Sequence, residues 1–267
     1  MTPGPLRSPR PPLPQGAADC HIHILGRPEG AVAEYRRIQS SMGFSRSVVV
    51  TPSGAEFDNS LTLDAVDELG SEVSRAVVVI HPGTEPSVLD ELHSRGARAA
   101  RLNLGSAGAL LGAEDLAPLA RLVAPLGWRV EMHAHGDYWA AQLERLLPLA
   151  EYLTIEHAGR IRGGGQEERL SAVFQLQDAG AWVKLSGLSH DSGDAPLHRD
   201  RVAIARRLME RQSDRVVWGT DWPHLAAMRG DSAYPESTAL MDALFEDVSA
   251  DVRQRVLVEN PSSLYGF

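Results

Sequence analysis

The chain has 267 residues, of which 43% are hydrophobic and 23% charged, and its formal net charge is −9. This composition is typical of a globular protein and excludes a disordered or fibrous chain, and the length suits a single α/β barrel domain. The negative charge argues against nucleic-acid binding, and neither a membrane-spanning run nor a signal peptide is evident, so we expect a cytoplasmic protein.

The first sixteen residues are rich in proline and poor in apolar groups. Proline lacks a backbone N–H and cannot occupy the interior of a helix or a central strand. We therefore predict a flexible tail over residues 1–16 and one folded domain over residues 17–267. The single cysteine, Cys20, excludes a disulfide within the chain and agrees with a reducing compartment.

From residue 17 onward, short β-branched runs alternate with longer segments whose apolar residues recur at helical spacing. The predicted strands cover residues 18–25, 47–51, 76–81, 99–104, 129–135, 152–158, 182–186 and 215–220. The predicted helices include residues 59–69, 86–95, 116–126, 138–147, 167–179, 197–211 and 236–245. This alternation implies parallel strands, and a count of eight favours a (β/α)8 TIM-type barrel over a doubly wound open sheet.

Reactive side chains concentrate at the carboxyl ends of these strands, where barrel active sites form. His21 and His23 are two residues apart on the first strand, so both point into the barrel mouth. His133 ends the fifth strand, His157 the sixth and Asp221 the eighth. We expect these five side chains to converge on one site, where His133 binds substrate and the other four are catalytic.

Two kinds of chemistry fit this set of residues. A single catalytic Zn²⁺ or Mn²⁺ needs about three protein ligands and an open water position, which His21, His23, Asp221 and either His133 or His157 could supply. Alternatively, Asp221 acts as a general base while the histidines stabilise an oxyanion. The residues alone leave both alternatives open.

Three further residues are candidates for substrate binding. Arg101 and Asn103 share one face of the fourth strand, and an arginine fork matches the geometry of a carboxylate. The structural alternative for Arg101 is an ion pair inside the barrel. Ser53 follows the second strand, where a polar group either orients a ligand or caps the next helix. The partner that we expect is therefore a small molecule, acidic or polyhydroxylated.

Six motifs carry a resemblance to a known family. They are "DCHIH", "TPSGAEFDN", "ARAARLNL", "EHAGR", "KLSG" and "VVWGTDWPH", in this order along the chain. Together they resemble the amidohydrolase superfamily, of the amidohydrolase 2 type, and within it the branch of lactonases that act on 2-pyrone-4,6-dicarboxylate and sugar lactones. The resemblance runs from about Asp19 to the closing "ENPSSLYGF".

The resemblance implies a lactone hydrolase that works without metal, with Asp221 as the base. Two-metal relatives place a lysine at the end of strand four, whereas Arg101 and Asn103 stand there in this chain, so a two-metal site is not expected. The lactonase relatives carry an arginine near the position of His190, which we assign to substrate binding. Its replacement by histidine predicts lactones with one carboxylate or none.

The sequence thus predicts a hydrolase that opens the cyclic ester of a small acidic or polyhydroxylated metabolite. The alternatives are a metal-dependent nonoxidative decarboxylase of the same superfamily and a noncatalytic barrel.

Overall fold

The computed structural model describes residues 7–26, 28–105, 110–162, 165–190, 198–230 and 236–267. Within these residues, eight strands form one sheet in the order β1 to β8, and all seven neighbouring pairs are parallel. The strands are β1 (Ala18–Ile22), β2 (Arg46–Val50), β3 (Ser74–Val78), β4 (Ala97–Asn103), β5 (Arg129–His133), β6 (Leu153–Ile155), β7 (Trp182–Leu185) and β8 (Val216–Trp218). The predicted barrel fold is confirmed.

Helices follow the strands around the outside of the sheet. In the described ranges they are α1 (Pro28–Met42), α2 (Ser60–Leu69), α3 (Pro86–Ser94), α4 (Leu116–Val123), α5 (Gly136–Ala141), α6 (Leu143–Leu146), α7 (Gln166–Asp178), α8 (Arg199–Arg211), α9 (Leu225–Met228), α10 (Ser237–Phe245), α11 (Ala250–Gln254) and α12 (Asn260–Tyr265). None of the helices described here is both long and apolar enough to cross a bilayer.

The observed elements differ from the predicted ones mainly at their ends. The sixth strand ends at Ile155, before the predicted residue 158, because the backbone at His157 and Ala158 turns into the left-handed region. The predicted helix over residues 138–147 is two short helices, α5 and α6, separated at Gln142.

The barrel closes through residues that follow β8. The backbone N–H of His23 donates to the carbonyl of Trp222 at 2.8 Å, and the N–H of Asp221 donates to the carbonyl of His21 at 2.9 Å. These parallel contacts extend β8 alongside β1. Closure therefore brings the acidic residue of the last strand beside the two histidines of the first.

The amino-terminal half of the barrel interior is closed by the end of the chain. Tyr265, on α12, packs in one buried cluster with Ala18, Val48 and Trp182 from three of the strands. Its hydroxyl donates to Glu131 Oε1 at 2.7 Å. The outer faces of the strands pack against the helices in the larger hydrophobic core.

Residues 7–16 of the predicted flexible tail lie against the barrel. Arg7 forms an ion pair with Asp242 at 2.7 Å, and the backbone N–H of Arg10 donates to the same carboxylate at 2.7 Å. Ser8 donates to the carbonyl of Ser41 at 3.0 Å. These polar contacts hold a segment that has few apolar groups to bury, and residues 1–6 of the predicted tail lie outside the described residues.

Candidate active site

The two histidines of β1 converge, as their spacing predicts. Their Nε2 atoms lie 3.3 Å apart, and both side chains are buried. His23 Nδ1 lies 2.7 Å from the carbonyl oxygen of Val50. A carbonyl only accepts, so this ring nitrogen carries the proton, and in the neutral ring Nε2 presents a lone pair to the site.

Asp221 is placed by a turn after β8. Its backbone has a φ of 64°, which is uncommon for a residue other than glycine, and the buried carboxylate of Asp19 holds the turn. Asp19 accepts from the backbone N–H of Thr220 at 2.8 Å and from its hydroxyl at 2.7 Å. A Cβ at Gly219 would lie 2.6 Å from the backbone nitrogen of His21, so only glycine fits this close approach. Asp221 Oδ1 then lies 3.6 Å from Nε2 of His21 and 3.8 Å from Nε2 of His23.

His157 reaches the same point from a left-handed turn after β6, where its φ is 55°. Its ring centroid lies 4.8 Å from that of His21, and its Nδ1 lies 3.1 Å from Ser186 Oγ. The buried guanidinium of Arg201 donates to the carbonyl of His157 at 3.1 Å and also to that of Ile161. The side chain from α8 therefore fixes the turn that orients His157.

His190 lies on the opposite side of Asp221 from the β1 pair. Its Nε2 is 2.8 Å from Asp221 Oδ2, which is a hydrogen bond to the carboxylate. The sequence assigns this position to substrate binding, whereas the structure brings the ring into direct contact with the candidate base. His224, two residues beyond Trp222, is also buried, and its Nε2 lies 3.2 Å from Ser237 Oγ.

Arg101 occupies the centre of the barrel below the histidines. Its Nε and Nη2 donate to the two carboxylate oxygens of Glu156 at 3.0 and 2.8 Å, and Nη1 donates to the carbonyl of Thr51 at 2.9 Å. The fork is therefore engaged by an ion pair inside the barrel. Arg101 is also one of the residues that line the adjacent cleft, and its contact with substrate stays a prediction.

His133 stands at the edge of the histidine group. Its ring centroid is 5.0 Å from that of His157, and its Nε2 lies 3.2 Å from a guanidinium nitrogen of Arg160. Glu156, Arg160 and His224 were not among the sequence-predicted site residues. The motifs "EHAGR" and "GTDWPH" contain all three residues, so the motifs could have identified them as site residues. Their spacing along the chain, however, does not indicate a role.

Ser53 and Asn103 line an open cleft together with Arg101, and Asn103 is paired with His133 across β4 and β5. Asn103 Nδ2 donates to Ser53 Oγ, and Asn103 Oδ1 accepts from the backbone N–H of Gly105 at 3.0 Å. The two side chains thus form one wall of the cleft, next to the reactive centre.

Burial sets the protonation states of the site. It lowers the pKa of His21, of His157 and of His133 well below the usual value for histidine, and that of His23 to about 4. Burial, the largest single effect, raises the pKa of Asp221, but the hydrogen bond from His190 and the neighbouring imidazoles of His190, His23 and His224 together outweigh it, so this pKa lies below its ordinary value. At neutral pH the site therefore combines the Asp221 carboxylate with the neutral imidazoles of His21, His23, His133 and His157.

The residues His21, His23 and Asp221 also fit a metal ion by donor type and spacing. Ligands of a tetrahedral zinc ion lie about 3.4 Å apart when each bond is about 2.1 Å, and the three donor atoms here are separated by 3.3, 3.6 and 3.8 Å. The hydrogen bond of His23 Nδ1 to a backbone carbonyl is the outer contact that metal-binding histidines usually make. His21 Nδ1, in contrast, is buried without a hydrogen-bond partner among the described residues.

Curated relatives of the chain are enzymes. It is 32% identical to the 4-sulfomuconolactone hydrolase of Hydrogenophaga intermedia, covering 95% of this chain and 90% of the relative. It is 29% identical to the 2-pyrone-4,6-dicarboxylate hydrolase of Comamonas testosteroni (95% and 91% covered) and 28% identical to the D-galactarolactone isomerase of Agrobacterium fabrum (97% and 94% covered).

A solved structure of a protein from Agrobacterium tumefaciens superposes with a TM-score of 0.86 at 27% identity, covering 98% of this chain and 97% of that one. The amidohydrolase family model matches residues 18–267, nearly the whole chain. These matches confirm the resemblance stated from the sequence motifs. The chain belongs to the amidohydrolase family.

Proposed function

We propose that this enzyme hydrolyses the cyclic ester of a small acidic or polyhydroxylated metabolite. The observation that carries the proposal is the buried carboxylate of Asp221, which lies within 2.8–3.8 Å of imidazole nitrogens of His21, His23 and His190. Two of the relatives are named as hydrolases of lactones, and the third as a lactone isomerase. Their substrates share the reactive group that this site would attack.

Asp221 is suited to act as the general base. A carboxylate that is ionised at neutral pH can take a proton from the attacking water as the water oxygen bonds to the lactone carbonyl carbon. The ring C–O bond then breaks, and the ring oxygen receives the proton back from Asp221. The product is a hydroxy acid, whose new carboxyl group releases one proton to solvent.

The neutral histidines are suited to stabilise the oxygen that becomes negative. His21 and His157 can each donate one ring N–H, and Arg101, whose guanidinium charge is paired with Glu156, would add hydrogen-bond donors rather than net positive charge. Donors fixed in a buried site stabilise developing charge more strongly than water does, because they need not reorient during the reaction. His190, bonded to Asp221, holds the carboxylate in place and keeps it ionised.

We propose the metal-free mechanism. The alternative is a mechanism that uses a single divalent ion. His21, His23 and Asp221 would hold Zn²⁺ or Mn²⁺, and the ion would polarise the carbonyl and lower the pKa of a bound water. In either case the remaining side chains bind and orient the lactone.

A screen of lactones with a pH indicator, combined with elemental analysis of the purified protein, tests the proposal. We expect one proton to be released per lactone opened, and activity that survives treatment with EDTA. Loss of activity in EDTA that Zn²⁺ or Mn²⁺ restores would replace the metal-free mechanism with the metal-dependent one. Release of CO2 would indicate the decarboxylase, and rearrangement of a lactone without proton release would indicate an isomerase.

A further inference from the structure

The cleft lined by Arg101, Ser53 and Asn103 has one apolar wall and one polar wall. Val79, Leu110 and Leu111 form an apolar surface, and Ser53 and Asn103 form a polar one. Glu56 also lines this cleft and is exposed to solvent. A substrate portion in this space therefore meets apolar carbon, neutral polar groups and one carboxylate.

Positive charge is scarce on this side of the barrel mouth. The sequence contains no lysine or arginine in residues 51–74, 76–94 or 102–120, which include the loops that follow β2, β3 and β4. The charge of Arg101 is compensated by its fork to Glu156. The loop after β6 contrasts with this, because Arg160 and Arg162 follow His157 within five residues.

Glu56 has an unusual backbone conformation. Its φ of 53° and ψ of −123° end the short turn Ser53–Ala55, and a positive φ is rare for a residue other than glycine, asparagine or aspartate. Such conformations cost free energy, and they concentrate at functional sites. The unfavourable backbone conformation therefore occurs at a residue that lines the cleft.

We propose that Glu56 is a specificity-determining residue, which selects lactones whose portion in this cleft is uncharged and bears hydrogen-bond donors. A carboxylate oxygen accepts from hydroxyl groups, whereas a substrate carboxylate in the same cleft is repelled by the like charge of Glu56, and the one cation among the described lining residues, Arg101, is paired with Glu156. This inference rests on the proposed function and narrows its substrate class.

A matched pair of lactones tests this selection. 2-Pyrone-4,6-dicarboxylate and its analogue with a hydroxymethyl group at C4 are similar in size and differ in charge at that position. We expect the wild type to prefer the hydroxymethyl compound in kcat/KM. Glu56→Gln should narrow the preference about fivefold, mainly by improving the dicarboxylate, because it removes the repulsion and keeps the shape.

Asp58→Asn is the matched control. Asp58 lies on the same loop and is exposed, but its carboxylate bonds to Ser60 and does not line the cleft. Asp58→Asn removes the same charge and should leave the preference unchanged. An equal change in both variants, or no change in Glu56→Gln, would overturn the role of Glu56.

Calorimetric binding of the same two compounds to Asp221→Asn, with and without Glu56→Gln, separates the inference from the proposed function. If the screen finds no lactone that the wild type opens, the hydrolase proposal fails, while a ratio of Kd values that Glu56→Gln shifts about fivefold still supports the selection by Glu56. Absence of binding of both compounds, or an unshifted ratio, would overturn it.

Discussion

Two levels of the barrel interior carry charged groups, and they differ in how completely those groups are satisfied. At the lower level, the two oxygens of Glu131 are bonded to Lys184 Nζ at 2.5 Å and to the hydroxyl of Tyr265 at 2.7 Å. At the upper level, Asp221 Oδ1 has its nearest imidazole nitrogens at 3.6 and 3.8 Å, too far for a hydrogen bond. His21 Nδ1 and His133 Nδ1 have no hydrogen-bond partner among the described residues. The contrast concerns titratable groups, because the neutral Thr154 Oγ1 and Trp182 Nε1 at the lower level also lack a partner there.

The contrast separates stability from function. Buried polar groups are normally satisfied within the protein, and a group that is left without a partner retains the capacity to bind something else. The backbone agrees, because residues with left-handed φ include His157, Asp221 and His224 at the upper level. We infer that the lower level holds the barrel together and that the upper level is arranged for a ligand.

The largest effect is expected from Asp221→Asn at the upper level. Removal of a general base lowers kcat by about two to four orders of magnitude. The amide preserves the shape of the side chain, so the melting temperature should stay close to that of the wild type. Steady-state kinetics and circular dichroism on the same preparation check both statements, and near-normal turnover would remove Asp221 from the mechanism.

Lys184→Met tests the lower level. Breaking a buried ion pair leaves Glu131 without its counter-charge and costs about 3–5 kcal/mol of unfolding free energy. For a domain of this size the loss should lower Tm by about 5–15 °C. The kcat of the folded fraction should stay within about threefold of the wild type. Loss of kcat at an unchanged Tm would show that Lys184 belongs to the reactive site and would break the comparison.

Arg101→Lys probes the boundary between the two levels. Lysine keeps the charge but cannot make both contacts to Glu156 together with the contact to Thr51, so we expect kcat/KM to fall about tenfold. Arg98→Lys, on the same strand, is the control, because within the described residues Arg98 donates to the carbonyls of His93 and Ala97, away from the site. If Arg101→Lys has the same kcat/KM as the wild type, Arg101 does not position the substrate or the histidines.

The parts of the site that the sequence predicts are those that follow from strand geometry. The two-residue repeat of a strand orients His21 and His23 together, and the parallel barrel brings His157 and Asp221 to the same end. The bond from His190 to Asp221 could not be predicted, since it depends on the turn after β7 and on the left-handed φ of Asp221.

The ion pair between Arg101 and Glu156 inside the barrel also could not be predicted from the sequence. Arg101 and Glu156 are 55 residues apart, and an arginine at a strand end is compatible with a substrate carboxylate or with an internal carboxylate. The sequence is compatible with both interpretations of Arg101. Only the positions of β4 and β6 in the barrel show that the guanidinium is bonded to the carboxylate of Glu156. Side-chain partners from distant strands are not encoded in local periodicity.

Hydrolysis of a lactone in water labelled with ¹⁸O tests the central claim most directly. If water attacks the carbonyl carbon with Asp221 as the base, the hydroxy acid formed by the wild type contains one ¹⁸O, located in its carboxylate, and Asp221→Asn forms it at least about a hundredfold more slowly. A product without ¹⁸O, or labelled hydroxy acid formed equally fast by Asp221→Asn, would contradict the account.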